Sequence, residues 1–333
     1  MTQSLAFWVE SSSNNTSSKL DVELHFNYWH LPDDKINYLD IGVLLSGEKK
    51  NFDSINIYLP FEFKPQNYMA NLGDKITESD NLISAVFNND VENKSLITPS
   101  SAYYITFLDK KSDNEILFFT NLSCNYDDRV IINNYENSHE AGFSIQFFKK
   151  IFQENKKYEH KNWYFRFRYI LDKNDIDKIS REYKANDSII TSYFEKSEVI
   201  DFRVNESRNL PKTLREKIAT CNNVKKIHFF LIRNESSEFK MGHSAYDRCR
   251  ILEDRLWEPY LCSQGQYKIK TKMLIYHWKT KSDTHIEHFS AFARFINRKV
   301  RTRDVVWIIL AIIGLGVASS LIATYILGFF TSK

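Results

Sequence analysis

The best candidate for metal chemistry in the sequence is the segment HWKTKSDTHIEH, which gathers His277, Asp283, His285, Glu287 and His288. Imidazoles and carboxylates hold zinc-like ions when three or four of them converge. On a strand, alternate side chains share a face, so His285 and Glu287 would lie together and His288 would point away. On a helix His285 and His288 would meet, but a lone His-x-x-His pair is a weak ligand set. Polar residues of a turn and a strand edge account for the segment. The sequence is therefore read as carrying no metal site and no cofactor.

A second group of reactive types sits in AYDRCRILEDRLWEPYL, where Asp247, Arg248, Arg250, Glu253, Asp254 and Arg255 crowd together. Carboxylates beside arginines suit nuclease or phosphatase chemistry. Helical ion pairing explains them more simply, since Arg250 and Asp254 are four residues apart. Serine, histidine and aspartate are all present, yet no Gly-x-Ser-x-Gly elbow positions a nucleophile. The 9 glycines form neither a Gly-x-x-x-x-Gly-Lys-Ser/Thr loop nor a Gly-x-Gly-x-x-Gly loop ahead of the final segment. Chemistry driven by ATP or NAD is disfavoured, no catalytic residue is identified, and the balance leans away from an enzyme.

What remains is cationic and aromatic interleaving. In WYFRFRYI, strand alternation puts Trp163, Phe165, Phe167 and Tyr169 on one face, with Arg166 and Arg168 on the other. In YKIKTKMLIYHW, Lys268, Lys270 and Lys272 line one face. A wet basic face of this kind contacts anionic lipid or a nucleotide-like ligand by charge and stacking.

These residues must be held by elements. Alternating apolar runs such as LDVELHFNYWHL, INYLDIGVLLSG and SINIYLPFEF read as strands. NLGDKITESDNLISAVF reads as helix with Ser79 as a cap, and AYYITFLD with EILFFTNLS as a hairpin. AGFSIQFFKKIF fits helix or strand equally. Further on, NDIDKISREYK reads as a polar helix and PKTLREKIAT as a short one opened by Pro211. AYDRCRILEDRLWEPYL reads as an amphipathic helix with Ala245, Cys249, Leu252, Leu256 and Tyr260 on one face. Strands and helices mix without β-α-β alternation, so the fold class is α+β and strand-rich.

Composition supplies a division. Residues 1–18 are polar and serine-rich and read as a disordered tail. Residues 19–155 form an acidic strand-rich subdomain and 156–297 a basic α+β subdomain, two units with a hint of kinship. Residues 1–150 hold 12 basic and 21 acidic side chains, whereas 151–333 hold 33 and 21, so charges of −9 and +12 underlie the net +3. Cys124, Cys221, Cys249 and Cys262 show no zinc-ribbon spacing and read as reduced thiols.

The basic half runs through a juxtamembrane segment, 298–304, into 26 uncharged residues from Val305 to Phe330. As a helix this stretch would be about 39 Å long, enough to cross a hydrocarbon core of about 30 Å. Arg294, Arg298, Lys299, Arg301 and Arg303 precede it and Lys333 alone follows, so the large N-terminal part is expected on the cytoplasmic side. No signal-peptide pattern opens the sequence, which suits a tail-anchored, single-pass protein of a bacterial inner membrane. Gly316, Ser320, Thr324 and Gly328 recur every four residues, a spacing that lets two membrane helices pack closely. The expected partners are the lipid bilayer, a second copy of the chain and an anionic, nucleotide-like ligand. The expected function is a sensing module with a membrane anchor, such as an effector of an antiviral-defence-like response. A membrane-tethered hydrolase or nuclease with a dispersed catalytic set, and a scaffold without ligand, are the alternatives.

Overall fold

A computed structural model describes residues 3–11, 20–31, 37–49, 52–98, 101–109, 114–124, 129–135, 142–152, 161–184, 195–220, 223–261, 271–298 and 302–331. The first strands are β1 (Ala6–Ser11), β2 (Leu20–Trp29), β3 (Asn37–Gly47) and β4 (Phe52–Leu59), followed by the short β5 (Tyr68–Met69). Two helices come next, α1 (Leu72–Thr77) and α2 (Asp80–Phe87). Strands β6 (Val91–Ile97), β7 (Ala102–Phe107), β8 (Glu115–Phe119), β9 (Val130–Tyr135), β10 (Gly142–Phe148) and β11 (Asn162–Leu171) lead to a one-turn helix, α3 (Lys173–Ile176). Then come β12 (Ser180–Lys184), β13 (Glu195–Val204), α4 (Lys212–Thr220), β14 (Val224–Asn234), β15 (Ser237–Gly242) and β16 (Arg248–Ile251). The chain closes with α5 (Asp254–Leu261), β17 (Met273–Lys281), β18 (Phe289–Arg298) and the long α6 (Thr302–Thr331).

The strands build three sheets. The largest runs β16-β17-β14-β2-β3-β11-β8-β7-β6, with β5 beside β11, and the two smaller ones run β1-β4-β10-β9 and β12-β13-β18-β15. Alternation along the central strands gives the long sheet two different faces. One face carries Leu24, Phe26, Ile41, Val43, Phe165, Phe167, Phe229 and Leu231, all buried against the small sheets through residues such as Ile57, Phe143 and Phe202. The opposite face packs Trp29, Tyr164 and Ile232 beneath Leu72 and Ile76 of α1, Ile83 of α2 and Trp257 and Tyr260 of α5. This is a strand-rich fold with a few helices, as the sequence predicts.

The sheet does not follow the predicted division at residue 155. β14 lies parallel to β2, and β11 lies antiparallel to β3, so strands from both halves alternate within one sheet. Periodicity within a strand carries no information about which distant strand it joins. The first residues also differ from expectation. Ala6–Ser11 form β1 rather than a disordered tail, with Phe7 and Val9 in the main core. Ala6 and Trp8 pack outward on Leu214 and Ile218 of α4. Residues 1–2 and 12–18 of that tail lie outside the described residues.

Two predicted helices are mostly strand. NDIDKISREYK makes one helical turn, closed by a capping box between Asp172 and Asp175, and then pairs with β13 as β12. In AYDRCRILEDRLWEPYL the first part pairs with β17, and the helix begins only at Asp254. Ala245 and Cys249, expected on the buried face, are exposed. Arg250 pairs with Glu253 at 3.7 Å instead of with Asp254. Pairing to an existing sheet outweighs helix propensities worth only tenths of a kcal/mol per residue. AGFSIQFFKKIF resolves as strand β10 followed by a short 3-10 turn.

A buried ion pair ties the long sheet to the third sheet. Arg233 Nη2 on β14 donates to Glu198 Oε2 on β13 at 2.7 Å, and both side chains are within 2 % of full burial. Ser180 also donates to Glu198, and the Arg233 guanidinium lies 4.3 Å from the Phe295 ring centre. Burial pushes the Glu198 carboxyl up, but the charges of His30 and Arg233 and the hydrogen bonds outweigh it and hold it at about 2. A carboxyl depressed on folding contributes stability above its ordinary value of 4.5 and loses it as pH falls towards 2. The expected loss across that window is about 3 kcal/mol. Urea unfolding midpoints measured against pH should fall there in the wild type and flatten in Glu198→Gln.

Candidate functional site

Polar side chains collect on the helix-covered face of the long sheet. The period of two that buries Leu24 and Phe26 also places Glu23, His25 and Asn27 of β2 together on the other side. Neighbouring strands add His228 from β14, His277 from β17, Asp40 and Gly42 from β3, and Tyr164, Arg166 and Arg168 from β11. Register makes this a row, because Arg166 pairs with Gly42, Gly42 with His25, and His25 with His228.

At one end of the row, Glu23 Oε1 lies 2.8 Å from His25 Nε2 and 3.1 Å from His228 Nε2. The second contact lacks hydrogen-bond alignment, so the buried His228 Nε2 has no hydrogen-bond partner. On its other side His228 Nδ1 is 2.8 Å from His277 Nε2, with the two rings nearly parallel at 6°. Lys226 Nζ holds the second oxygen of Glu23 at 2.8 Å. Burial lowers the pKa of His25 to about 4, overriding the raising effect of Glu23. Burial, with the charge of His228, lowers His277 to about 4 as well. Burial pushes the Glu23 carboxyl up, but the close approach of His228 and the hydrogen bonds from His25 and Lys226 outweigh it and drive the group far below the ordinary range. Near neutrality the site therefore offers the Glu23 carboxylate and neutral imidazoles at His25 and His277, and metal coordination needs such deprotonated groups.

At the other end the arginines depart from expectation. The sequence places Arg166 and Arg168 on a wet face, but both are buried, at 2 % and 0 % exposure. The alternation is read correctly; α1, α2 and α5 cover the face, and no local pattern announces that layer. Arg168 grips Asp40 with two bonds, Nε to Oδ1 at 2.6 Å and Nη2 to Oδ2 at 3.1 Å. Asp40 also accepts from Trp29 Nε1 at 2.7 Å and from the Tyr260 hydroxyl at 2.5 Å. The Arg168 guanidinium is sandwiched 4.5 Å from Tyr38 and 4.7 Å from Tyr260. It is a structural clamp that fastens α5 to the sheet, with little left to offer a ligand.

Arg166 is different. Its Nη1 reaches the Tyr164 hydroxyl at 3.4 Å, whereas Nε and Nη2 are buried without a hydrogen-bond partner, as is Asn27 Oδ1. Buried donors of this kind are rare in folded proteins and mark places where a ligand or water completes the bonding. Gly42 permits the arrangement, since a Cβ there would sit 2.4 Å from the Tyr164 hydroxyl oxygen.

The remaining candidates are dispersed. Lys268 and Lys270 lie outside the described residues, and Lys272 is exposed just before β17. β14, β2 and β3 separate β17 from β11, a span of about 19 Å at usual strand spacing, so Lys272 and Arg166 do not form one site. His285, Glu287 and His288 are exposed in the turn before β18, apart from His277. A groove of about 430 Å³ between α2 and α5, lined by Ser84, Asn88, Arg250 and Glu253 among others, includes none of the row. Gly316, Ser320, Thr324 and Gly328 lie on α6, where the Thr324 hydroxyl donates to the Ser320 carbonyl at 2.9 Å.

Sequence reasoning missed Glu23, His25 and His228. The available signal was Glu-x-His at a period of two inside an otherwise apolar strand, which fixes two ligands on one face. The chain matches no protein-family model, and no curated protein is significantly similar to it.

Proposed function

We propose that the chain is a membrane-anchored binding module. Its apolar helix sits in a bilayer, its sheet-rich body lies on the cytoplasmic side, and the covered sheet face takes an anionic ligand at Arg166. The observation that carries this reading is α6. It is long and apolar enough over Val305–Gly328 to cross a membrane, and its most apolar window has no part buried against the rest of the chain. Leu315 is 72 % exposed and Tyr325 79 %, a surface that is unfavourable in water and at home in lipid. The arginines and lysine ahead of the helix support the cytoplasmic orientation. The partnerless donors of Arg166 support the ligand. A bacterial inner-membrane effector, of the kind that answers a nucleotide signal in antiviral defence, fits this architecture.

Two measurements on the full chain test the proposal. Trypsin added to inverted vesicles should digest the sheet-rich body, and trypsin outside right-side-out vesicles should spare it; the reverse pattern overturns the orientation. In detergent, one class among inorganic phosphate, nucleotides and anionic headgroups should raise the thermal midpoint, and Arg166→Met should abolish that rise. No rise with any class removes the ligand.

The spacing of Gly316, Ser320, Thr324 and Gly328 supports self-association within the bilayer. An added Cβ at Gly316 would meet nothing within 4 Å, so this part of the helix is open to a neighbour. Replacing Gly316 and Ser320 together by leucine should reduce cross-linked dimers in membranes several-fold while leaving the body folded. A second reading, a membrane-tethered hydrolase, is favoured by the convergence of Glu23, His25 and His228 from distant parts of the chain. Turnover of a phosphate or carboxylic ester that is lost in Glu23→Gln would establish it.

A further inference from the structure

We infer that Glu23, His25 and His228 form a binding site for a divalent transition-metal ion of the zinc class. This inference stands independently of the membrane placement and of the anion at Arg166. Three potential ligand atoms, Glu23 Oε1, His25 Nε2 and His228 Nε2, lie within 4.8 Å of one another. Zinc holds nitrogen and oxygen ligands at about 2.0–2.2 Å, which sets tetrahedral ligand pairs about 3.3 Å apart. The contacts of 2.8 and 3.1 Å need to open by only a few tenths of an ångström.

Four features separate this cluster from a chance meeting of polar groups. The ligands come from β2 and β14, two central strands of the long sheet, so their backbone positions are fixed by pairing on both sides. His228 Nε2 is buried without a hydrogen-bond partner and faces Glu23, so an ion between them would satisfy a nitrogen that is otherwise orphaned. The outer shell is in place. His277 Nε2 lies 2.8 Å from His228 Nδ1, so a Nδ1–H there can donate to it and leave Nε2 free to ligate. Lys226 holds the second oxygen of Glu23 and fixes the carboxylate plane. Finally, the side chains of His25, Glu23 and His228 are 11, 20 and 13 % exposed, so the cluster is partly buried without being sealed.

The surrounding charge selects among ions. Lys226 and Arg166 are cationic neighbours, and two of the three ligands are imidazoles, with a single carboxylate. A hard ion that depends on carboxylate charge, such as calcium or magnesium, is disfavoured. Zinc, cobalt, nickel and copper bind imidazole strongly enough to tolerate those neighbours.

The test uses the full chain in detergent, stripped with a chelator and titrated with zinc or cobalt chloride. The wild type should take up about one ion per chain, show a cobalt absorption band of nitrogen–oxygen ligation, and gain thermal stability with zinc. Glu23→Gln and His228→Gln, each checked for a cooperative thermal transition, should weaken uptake by roughly tenfold to a hundredfold or more. If one variant does not fold, the other carries the comparison. His285→Gln, at an exposed histidine outside the cluster, should bind as the wild type does. Calcium should give no uptake at the same concentration. The inference is overturned by a wild type that binds no stoichiometric zinc, by unchanged affinity in the folded cluster variants, or by an equal loss in His285→Gln.

Discussion

Replacing Arg168 by methionine should destabilise the protein by about 3–5 kcal/mol, the usual cost of leaving one half of a buried ion pair without its partner. Arg168 and Asp40 are both fully buried, and Asp40 would be left with hydrogen bonds only from Trp29 and Tyr260. The same guanidinium donates to the Tyr260 carbonyl at 3.3 Å, so its loss also loosens α5 from the sheet. The urea midpoint should therefore fall sharply, and tryptophan fluorescence should report a change around Trp257, which packs beside Trp29 and Tyr260. Converting Asp40 to leucine in the same molecule should recover part of the loss, because the stranded carboxylate is then removed. A single-variant loss below about 1 kcal/mol would mean that the pair is not the clamp described.

The second large effect concerns α6. Between Val305 and Gly328 there are 13 leucine, isoleucine and valine residues. On the insertion scale they contribute about −4 to −8 kcal/mol to entering the membrane. One arginine near the middle costs about 2.5–3.5 kcal/mol, so Leu315→Arg alone should leave most molecules inserted. Adding Ile312→Arg doubles that cost and also removes two favourable residues, which brings the sum to about −2 to +4 kcal/mol, centred near or above zero. The double variant should appear in the soluble fraction, or aggregate, while the single variant stays in the membrane. Equal behaviour of wild type and double variant in fractionation would show that hydrophobic insertion does not hold the protein there.

How far the fold and the site can be read from the residues depends on the range of the interactions that set them. WYFRFRYI announces its two faces, and β11 places Trp163, Phe165 and Phe167 in the main core as the alternation requires. Whether the arginine face is wet depends on α1, α2 and α5, whose packing over the strand is a tertiary matter. A charged face is usually solvated, and Arg168 escapes that rule because Asp40, 128 residues away, neutralises it. The predicted helix around Cys249 fails for a related reason. Its amphipathic spacing is real, but Cys249 is opposite Tyr276 in a strand pair that local periodicity does not include.

The histidine cluster shows the same limit. HWKTKSDTHIEH draws attention because its polar types are adjacent in the chain, yet of that set only His277 reaches the cluster. Glu23 and His25 stand two apart in LDVELHFNYW, and His228 stands about two hundred residues later in VKKIHFF. Their convergence follows from the parallel pairing of β2 with β14. Nothing in either strand alone specifies that pairing. The apolar α6 is the opposite case, since its length and composition are local properties and the helix lies where the sequence puts it.

Alkaline carbonate extraction of membranes from cells expressing the full chain tests the central claim most directly, with a chain ending at Arg298 run beside it. The full chain should remain with the lipid pellet, and the shortened one should be released to the supernatant. Release of the full chain in a folded, monomeric form without detergent would contradict the account.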